Sequence, residues 1–274
     1  MNFVQAMILG IIQGLTEFLP VSSTAHLLIG QKLLGIPAND AVFSFLVIIQ
    51  LGTILSLILF FSSELWKITL AVFSNLKGLM KFQALPLDAR MGWYILLATL
   101  PALIAGIFLK EVLTKLFANQ YLEASIRLLI AAFLMVLGEH MGKQTRKLDS
   151  IKWKDGLFVG LIQAIAVFPG TSRSGATISA GLLRNLDRPS AAKFAFLMSV
   201  PIMVAAGAFE SIKLFQNPVF SQYLSAIFVG FVTATVVGWF AVRWFMGFLS
   251  KNSLKVFALY CLIAGLICLL FSFF

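Results

Sequence analysis

Six uninterrupted apolar runs set the terms on which this chain can fold. They extend roughly from Ala41 to Phe61, Gly92 to Leu109, Leu122 to Leu137, Ala191 to Phe209, Tyr223 to Val242 and Leu254 to Phe274, each near the ~20 residues a helix needs to cross a bilayer. Hydrocarbon offers no hydrogen bonds, so such runs must satisfy their backbone internally as helices. An outer-membrane barrel would show short alternating segments between turns, unlike these long unbroken runs. Composition agrees: of 274 residues 60% are hydrophobic and 12% charged, with 27 Phe and a mean hydropathy of +0.96. The expected fold class is an all-α polytopic membrane protein, a single integral membrane domain over residues 1–274.

Two further apolar stretches are broken. Phe3 to Phe18 meets Leu19-Pro20 and a hydroxyl cluster, and Gly156 to Phe168 stops at Pro169-Gly170-Thr171-Ser172-Arg173-Ser174-Gly175. The first would reach about 24 Å as a helix, and the second is shorter. Each is followed by an apolar stub, Leu27 to Leu34 and Ala176 to Leu183. Helix, polar turn, helix is the pattern of a re-entrant segment that enters and leaves on one side. Two are predicted, roughly 3–34 and 156–184.

Loop charge gives an orientation, because Lys and Arg accumulate on the cytoplasmic side. Fifteen basic residues fall in four connections: Lys67 to Arg90, Lys143 to Lys154, Arg184 to Lys193 and Arg243 to Lys255. The other connections hold only Lys32, Lys110, Lys115 and Lys213. The split fits an outside N-terminus, a first broken segment entering from outside, a second entering from the cytoplasm and an outside C-terminus. The net charge of +10 is thus orienting charge; no basic run carries interleaved aromatics in a polar context, so nucleic acid is not an expected partner. With no Lys or Arg before Lys32, the N-terminus lacks the basic region of a signal peptide, and the first segment is expected to stay in the mature protein. Cys261 and Cys268 sit seven apart in one apolar run and imply neither a disulfide framework nor a metal site.

The chain also repeats itself. Gly10-Ile-Ile-Gln13 matches Gly160-Leu-Ile-Gln163, Phe18 matches Phe168, Pro20 matches Pro169, Ser22-Ser23 matches Thr171-Ser172, and Phe43-Ser-Phe45-Leu46 matches Phe194-Ala-Phe196-Leu197. The period is about 150 residues. Each half, roughly 1–140 and 151–274, holds one broken segment and three spans. Three is odd, so the second half must be inverted relative to the first. The two polar turns are then expected to meet near the middle of the membrane.

At that meeting point chemistry is concentrated. Polar groups inside apolar runs are costly and usually functional. Gln13 and Glu17 share a helical face, as do Ser23 and His26. Ser22, Ser23 and Thr24 stand where one stub needs an N-cap, and Thr171, Ser172 and Ser174 do so for the other. Two half-helix N-termini facing the centre form an anion site. Arg173 adds a planar fork suited to phosphate, and Gly170 and Gly175 let an anion approach the backbone. A lipid phosphate or diphosphate is the ligand that suits an intramembrane site. Glu17 has the wrong sign for such a ligand unless it is protonated, orients His26 or binds a cation. A divalent cation shared by Glu17, the Gln13 carbonyl and phosphate oxygens would resolve the conflict.

Gln13-x-x-x-Glu17, Phe18-Leu-Pro-Val-Ser-Ser-Thr-x-His26 and Pro169-Gly-Thr-Ser-Arg-Ser-Gly-Ala-Thr-Ile-Ser179 resemble the signature motifs of bacterial undecaprenyl-diphosphate phosphatases, the family linked to bacitracin resistance. The resemblance implies an enzyme of the bacterial inner membrane that dephosphorylates a C55 isoprenoid diphosphate to the monophosphate carrier used for cell-wall precursors. It also implies a divalent cation, Mg²⁺ or Ca²⁺, and an active site opening to the outer face. Gln13 stands where many members have Glu, which shifts weight to Glu17. Glu17, Ser23, His26 and Arg173 are the expected catalytic residues. Gln13, Ser22, Thr24, Gly170, Thr171, Ser172, Ser174, Gly175 and Thr177 are the expected substrate contacts, with Glu17 and Gln13 as metal ligands.

Ser23 as nucleophile, with His26 as base and then acid, competes with direct attack by water held between Glu17 and His26. Plainer roles stand beside these: capping for the hydroxyls, packing for His26 and Thr177, a structural pair between Arg173 and Glu17, and a local ion pair for Glu123 and Arg127. The rival function is a transporter or flippase for a polyprenyl phosphate or other organic anion, since inverted repeats with broken helices also serve transport. A scaffold protein would leave the intramembrane charges without a reason. Membrane lipids are expected partners, and a homodimer is left open.

Overall fold

The computed structural model describes residues 1–37, 39–77, 82, 84–113, 120–166, 172–215 and 224–273. Eleven α-helices are described: α1 Phe3–Phe18, α2 Ser23–Leu33, α3 Asp40–Phe60, α4 Ser62–Ser74, α5 Leu87–Leu113, α6 Gln120–Met141, α7 Trp153–Ile165, α8 Arg173–Leu183, α9 Arg188–Phe215, α10 Leu224–Leu249 and α11 Lys255–Phe271. Among the described residues α3, α5, α6, α9 and α10 are long and apolar enough to cross a membrane. The sixth expected run differs: α11 has 17 residues, about 25 Å, and falls with α1 among the shorter apolar helices. The basic connection after Ser62 also differs from the sequence reading, because its first part is the helix α4. That helix exposes Trp66, Leu70 and Phe73 beside Lys67, the pattern of an interfacial helix.

The two broken segments are hairpins. In the first, Asn2 caps α1 by accepting from the Gln5 N–H, and the Gln5 amide donates to the Leu34 carbonyl at the far end of α2 at 3.1 Å. Entry and exit therefore lie together. In the second, Asp155 at the start of α7 accepts from Arg184 at the end of α8 at 2.7 Å and from Arg146 at 2.7 Å. Burial of the Asp155 carboxyl would raise its pKa, but the two guanidiniums outweigh that and hold it below the ordinary value.

Each hairpin leans on the opposite half of the chain. α1 packs against α10 and α7 against α5, and both crossings depend on a glycine. A Cβ on Gly10 would stand 2.7 Å from the Gly230 carbonyl, and one on Gly160 would stand 2.5 Å from the Ala98 carbonyl. Nothing larger fits without moving backbone. These two glycines are the pair that aligned in the sequence repeat.

The basic connections gather at one end. Lys193 pairs with Glu64 at 2.8 Å, Arg188 with Glu139 at 2.7 Å, and the Leu254 N–H also donates to Glu139. With the Asp155 cluster, segments near 64, 139–155, 184–193 and 254 are tied into one layer. The buried apolar residues form two clusters: the larger holds Phe18, Leu57, Phe196 and Phe245, with Phe18 edge-on to Phe196, and the smaller holds Leu9, Phe45 and Ile49.

Candidate active site

The turn after α1 and the N-terminus of α8 meet inside the bundle. Glu17, the penultimate residue of α1, is buried. Its Oε1 accepts from Arg173 at 2.5 Å, and its Oε2 accepts from the Gln13 amide at 2.8 Å and from the Ser23 hydroxyl at 2.7 Å. Gln13 also donates to Thr53 on α3 at 3.3 Å. The i to i+4 spacing that put Gln13 and Glu17 on one face thus becomes a direct hydrogen bond, and the carboxylate becomes the hub of the site. Arg173, the first residue of α8, comes from the other half of the chain. The structural pairing weighed for it in the sequence is present, and among the described residues its guanidinium makes no other hydrogen bond, which leaves N–H groups for a second anion.

The two helix starts are built differently. Ser172 is an ordinary N-cap of α8: its hydroxyl accepts from the Gly175 N–H at 3.2 Å. Ser174 donates to the Leu19 carbonyl at 3.1 Å, stitching the start of α8 to the turn after α1. Ser22 departs from the capping expectation. It sits at φ +66° and makes no side-chain cap bond to α2, so the first amides of α2 are left without that partner. A non-glycine residue in this region costs of order 1–3 kcal/mol and is concentrated at functional sites. Thr24 is exposed to the cavity described below.

His26 is not where helical spacing placed it. Its Nδ1 lies 2.9 Å from the Ser22 carbonyl and its Nε2 lies 2.7 Å from the Tyr260 hydroxyl on α11; it touches neither Ser23 nor Glu17 through a hydrogen bond. A carbonyl can only accept, so Nδ1 carries the proton, and in the neutral ring Nε2 accepts from Tyr260. The correction follows from position. Ser23 is the first residue of α2 and its hydroxyl reaches back to α1, whereas His26, one turn on, faces α11. Thr177 likewise turns inward, donating to the Arg173 carbonyl at 2.8 Å. Gly170 and Thr171 lie outside the described residues. Cys261, one residue after Tyr260, is a buried free thiol directed at the Pro20 carbonyl.

A cavity of about 320 Å³ opens beside this cluster. Its lining includes Glu17, Ser22, Ser23, Thr24, Ser172, Arg173 and Ser174 from the predicted motifs. It also includes Gln50, Arg127 and Gln163, which were not expected to be part of the site. Arg127 makes the anticipated pair with Glu123, its Nε donating at 3.0 Å, yet also faces the cavity. Gln163 had one sequence signal, its alignment with Gln13. Glu17 is the one acidic side chain in the described lining, and the described residues hold no cluster of three metal-binding side chains. Such a donor set fits only a cation that keeps most of its shell on phosphate and water, which is the habit of Mg²⁺.

Fold and site together define an integral membrane protein with a hydroxyl-rich, arginine-bearing cavity enclosed by apolar helices. The sequence matches the family model described as bacitracin resistance protein BacA over residues 6–267. It is 39% identical to undecaprenyl-diphosphatase 1 of Corynebacterium jeikeium over 97% of this chain and 93% of the relative. It is 38% identical to an undecaprenyl-diphosphatase of Corynebacterium glutamicum, over 98% and 90% of the two chains, and 37% identical to one of Chlorobaculum tepidum, over 97% and 95%. The chain belongs to the BacA family.

Proposed function

We propose that the cavity between the two turns is the active site of an undecaprenyl-diphosphatase. The protein hydrolyses the terminal phosphate of undecaprenyl diphosphate to give undecaprenyl phosphate, the lipid carrier for peptidoglycan synthesis. The observation that carries this reading is the convergence on Glu17 of a serine hydroxyl from one side and an arginine from the other half of the chain. The named activity of the relatives favours it over transport.

Ser23 is the nucleophile. As its oxygen bonds to the terminal phosphorus, Glu17 Oε2, already its hydrogen-bond acceptor, takes the proton. The phosphoanhydride bond breaks and the lipid monophosphate leaves with that proton. Water, deprotonated by Glu17, then bonds to the phosphorus; the bond to the Ser23 oxygen breaks, and that oxygen takes the proton back from Glu17 as phosphate leaves. Arg173 and the amides at the start of α2 hold the charge on the equatorial oxygens. His26 is a positioning residue: its Nδ1–H holds the Ser22 carbonyl and with it the φ +66° turn that aims Ser23. A divalent cation, Mg²⁺ or Ca²⁺, would be held by Glu17 with the Gln13 carbonyl and would neutralise phosphate charge when bound.

In this reading α3, α5, α6, α9, α10 and α11 span the inner membrane, and the α1–α2 and α7–α8 hairpins are re-entrant. The halves, roughly 1–140 and 151–274, form an inverted repeat. The layer of ion pairs around Glu139 and Asp155 is cytoplasmic, and the site opens to the outer face. The exchanged packing of α1 on α10 and α7 on α5 supports the repeat.

Purified protein in detergent, given undecaprenyl diphosphate and Mg²⁺, is expected to release phosphate, and Glu17→Ala and Arg173→Ala are expected to abolish release. Full turnover by both variants would refute the site.

A further inference from the structure

Gln163 is 2% exposed, and neither its amide nitrogen nor its amide oxygen has a hydrogen-bond partner among the described residues. Leaving a buried polar group unsatisfied costs about 1–3 kcal/mol, so such a group calls for a reason. Arg90, Trp93, Ser125 and Ser179 each leave one buried atom unpaired, but none of them lines the cavity beside Glu17. Gln163 does.

The repeat explains how the amide came to be without partners. Its counterpart Gln13 donates to Glu17, four residues on, and to Thr53 on α3. Carried into the second half by the same alignment, Glu17 becomes Val167 and Thr53 becomes Val204. Both acceptors that serve Gln13 are thus replaced by valines. The amide was kept inside the cavity while the groups that would satisfy it were lost.

What could satisfy it is set by the rest of the lining. Arg173, Arg127 and the uncapped start of α2 favour an anion, and an anion of oxygen acceptors is what an amide N–H can bind. We propose that Gln163 is a substrate-binding residue whose Nε2–H donates to a non-bridging oxygen of the diphosphate group. The proposal rests on the cavity being the substrate site. It assigns the two aligned glutamines opposite duties: Gln13 orients the protein's own carboxylate, and Gln163 holds the ligand's phosphate. A buried amide donor without a partner is a poor design for stability and a good one for recognition, since a ligand with an acceptor at that point removes the donor's share of the penalty.

The test is steady-state phosphate release and thermal unfolding for Gln163→Leu and Gln163→Glu, with Arg173→Ala alongside. Gln163→Leu is expected to lower kcat/KM by roughly ten- to a hundredfold, chiefly through KM, as expected for a lost hydrogen bond to a charged group. Its Tm is expected to equal or exceed that of the wild type, because an unpaired polar group has gone. Gln163→Glu is expected to be less active than Gln163→Leu, since a carboxylate there repels phosphate. Three results would overturn the proposal: kcat/KM of Gln163→Leu within twofold of wild type, a loss of activity matched by a fall in Tm, or Gln163→Glu outperforming Gln163→Leu. Full activity of Arg173→Ala would instead overturn the cavity as the substrate site, so the two failures are separable.

Discussion

The two hairpins share a plan but not a chemistry. Each runs in on one helix, turns and runs out on a shorter one, and each crosses the opposite half at a glycine. Yet the first ends in a carboxylate, an uncapped helix start and a serine held at φ +66°, while the second ends in an arginine behind an ordinary serine cap. In the proposed reading, the difference is a division of one reaction between two similar hairpins. On that proposal the first carries the groups that would move a proton and attack, Glu17 and Ser23, and the second the charge that would hold the anion, Arg173. Neither turn is a site without the other.

The division is broken most severely at Arg173. Arg173→Ala removes the cation and leaves Glu17 without its charge partner. It is expected to lower kcat by about 10²-fold or more, by analogy with loss of a preorganised donor, and to lower Tm because breaking a buried pair costs about 3–5 kcal/mol. Phosphate release and thermal unfolding in detergent read the two effects separately.

The first turn supplies the next contrast. Ser23→Ala is expected to reduce kcat by about 10²-fold with little change in Tm, whereas Tyr260→Phe, which removes only the hydroxyl partner of His26, should cost roughly threefold, near the value of one modest hydrogen bond. Equal losses from both would mean that the imidazole, not the carboxylate, serves Ser23.

The shared scaffold should respond symmetrically. Gly10→Val and Gly160→Val each press a side chain onto a backbone carbonyl, and both should destabilise by about 1–3 kcal/mol. A large loss from one and none from the other would separate the halves structurally as well as chemically.

The smallest effect concerns how each hairpin is closed. The first is tied by the neutral Gln5 to Leu34 bond and the second by Asp155 with Arg146 and Arg184. The Asp155 carboxyl is held below its ordinary pKa of 3.8, so its contribution is complete above that value and fades as pH falls through the lowered one. Tm should therefore be insensitive to this group from neutral pH down to about 5 and drop below about 4. Asp155→Asn should lower Tm at neutral pH and flatten the acid limb.

Much of this was legible in the residues themselves. The break at Pro20 located the turn after α1, loop charge brought the basic connections to one end, and internal similarity led to the expectation that the two polar segments meet, as Glu17 and Arg173 do. What spacing could not supply was the choice of tertiary partner. Ser23 and His26 share a face only where both lie within a regular helix, but Ser23 begins α2 and turns back to α1, while His26 reaches Tyr260, 234 residues away. The positive φ of Ser22 had no signal because serine ordinarily caps. Arg127 looked complete with Glu123 four residues before it, which hid its second exposure to the cavity. The short α11 was overestimated because its apolar run continues past the helix on both sides.

The central claim is that Glu17 is the reactive carboxylate, placed between the serine it deprotonates and the arginine that binds phosphate. Glu17→Gln keeps the shape of the side chain and removes its charge and basicity. Phosphate release from undecaprenyl diphosphate by this variant, measured on protein with a cooperative unfolding transition, is predicted to fall by about 10²-fold or more. Turnover within a few-fold of wild type would contradict the account.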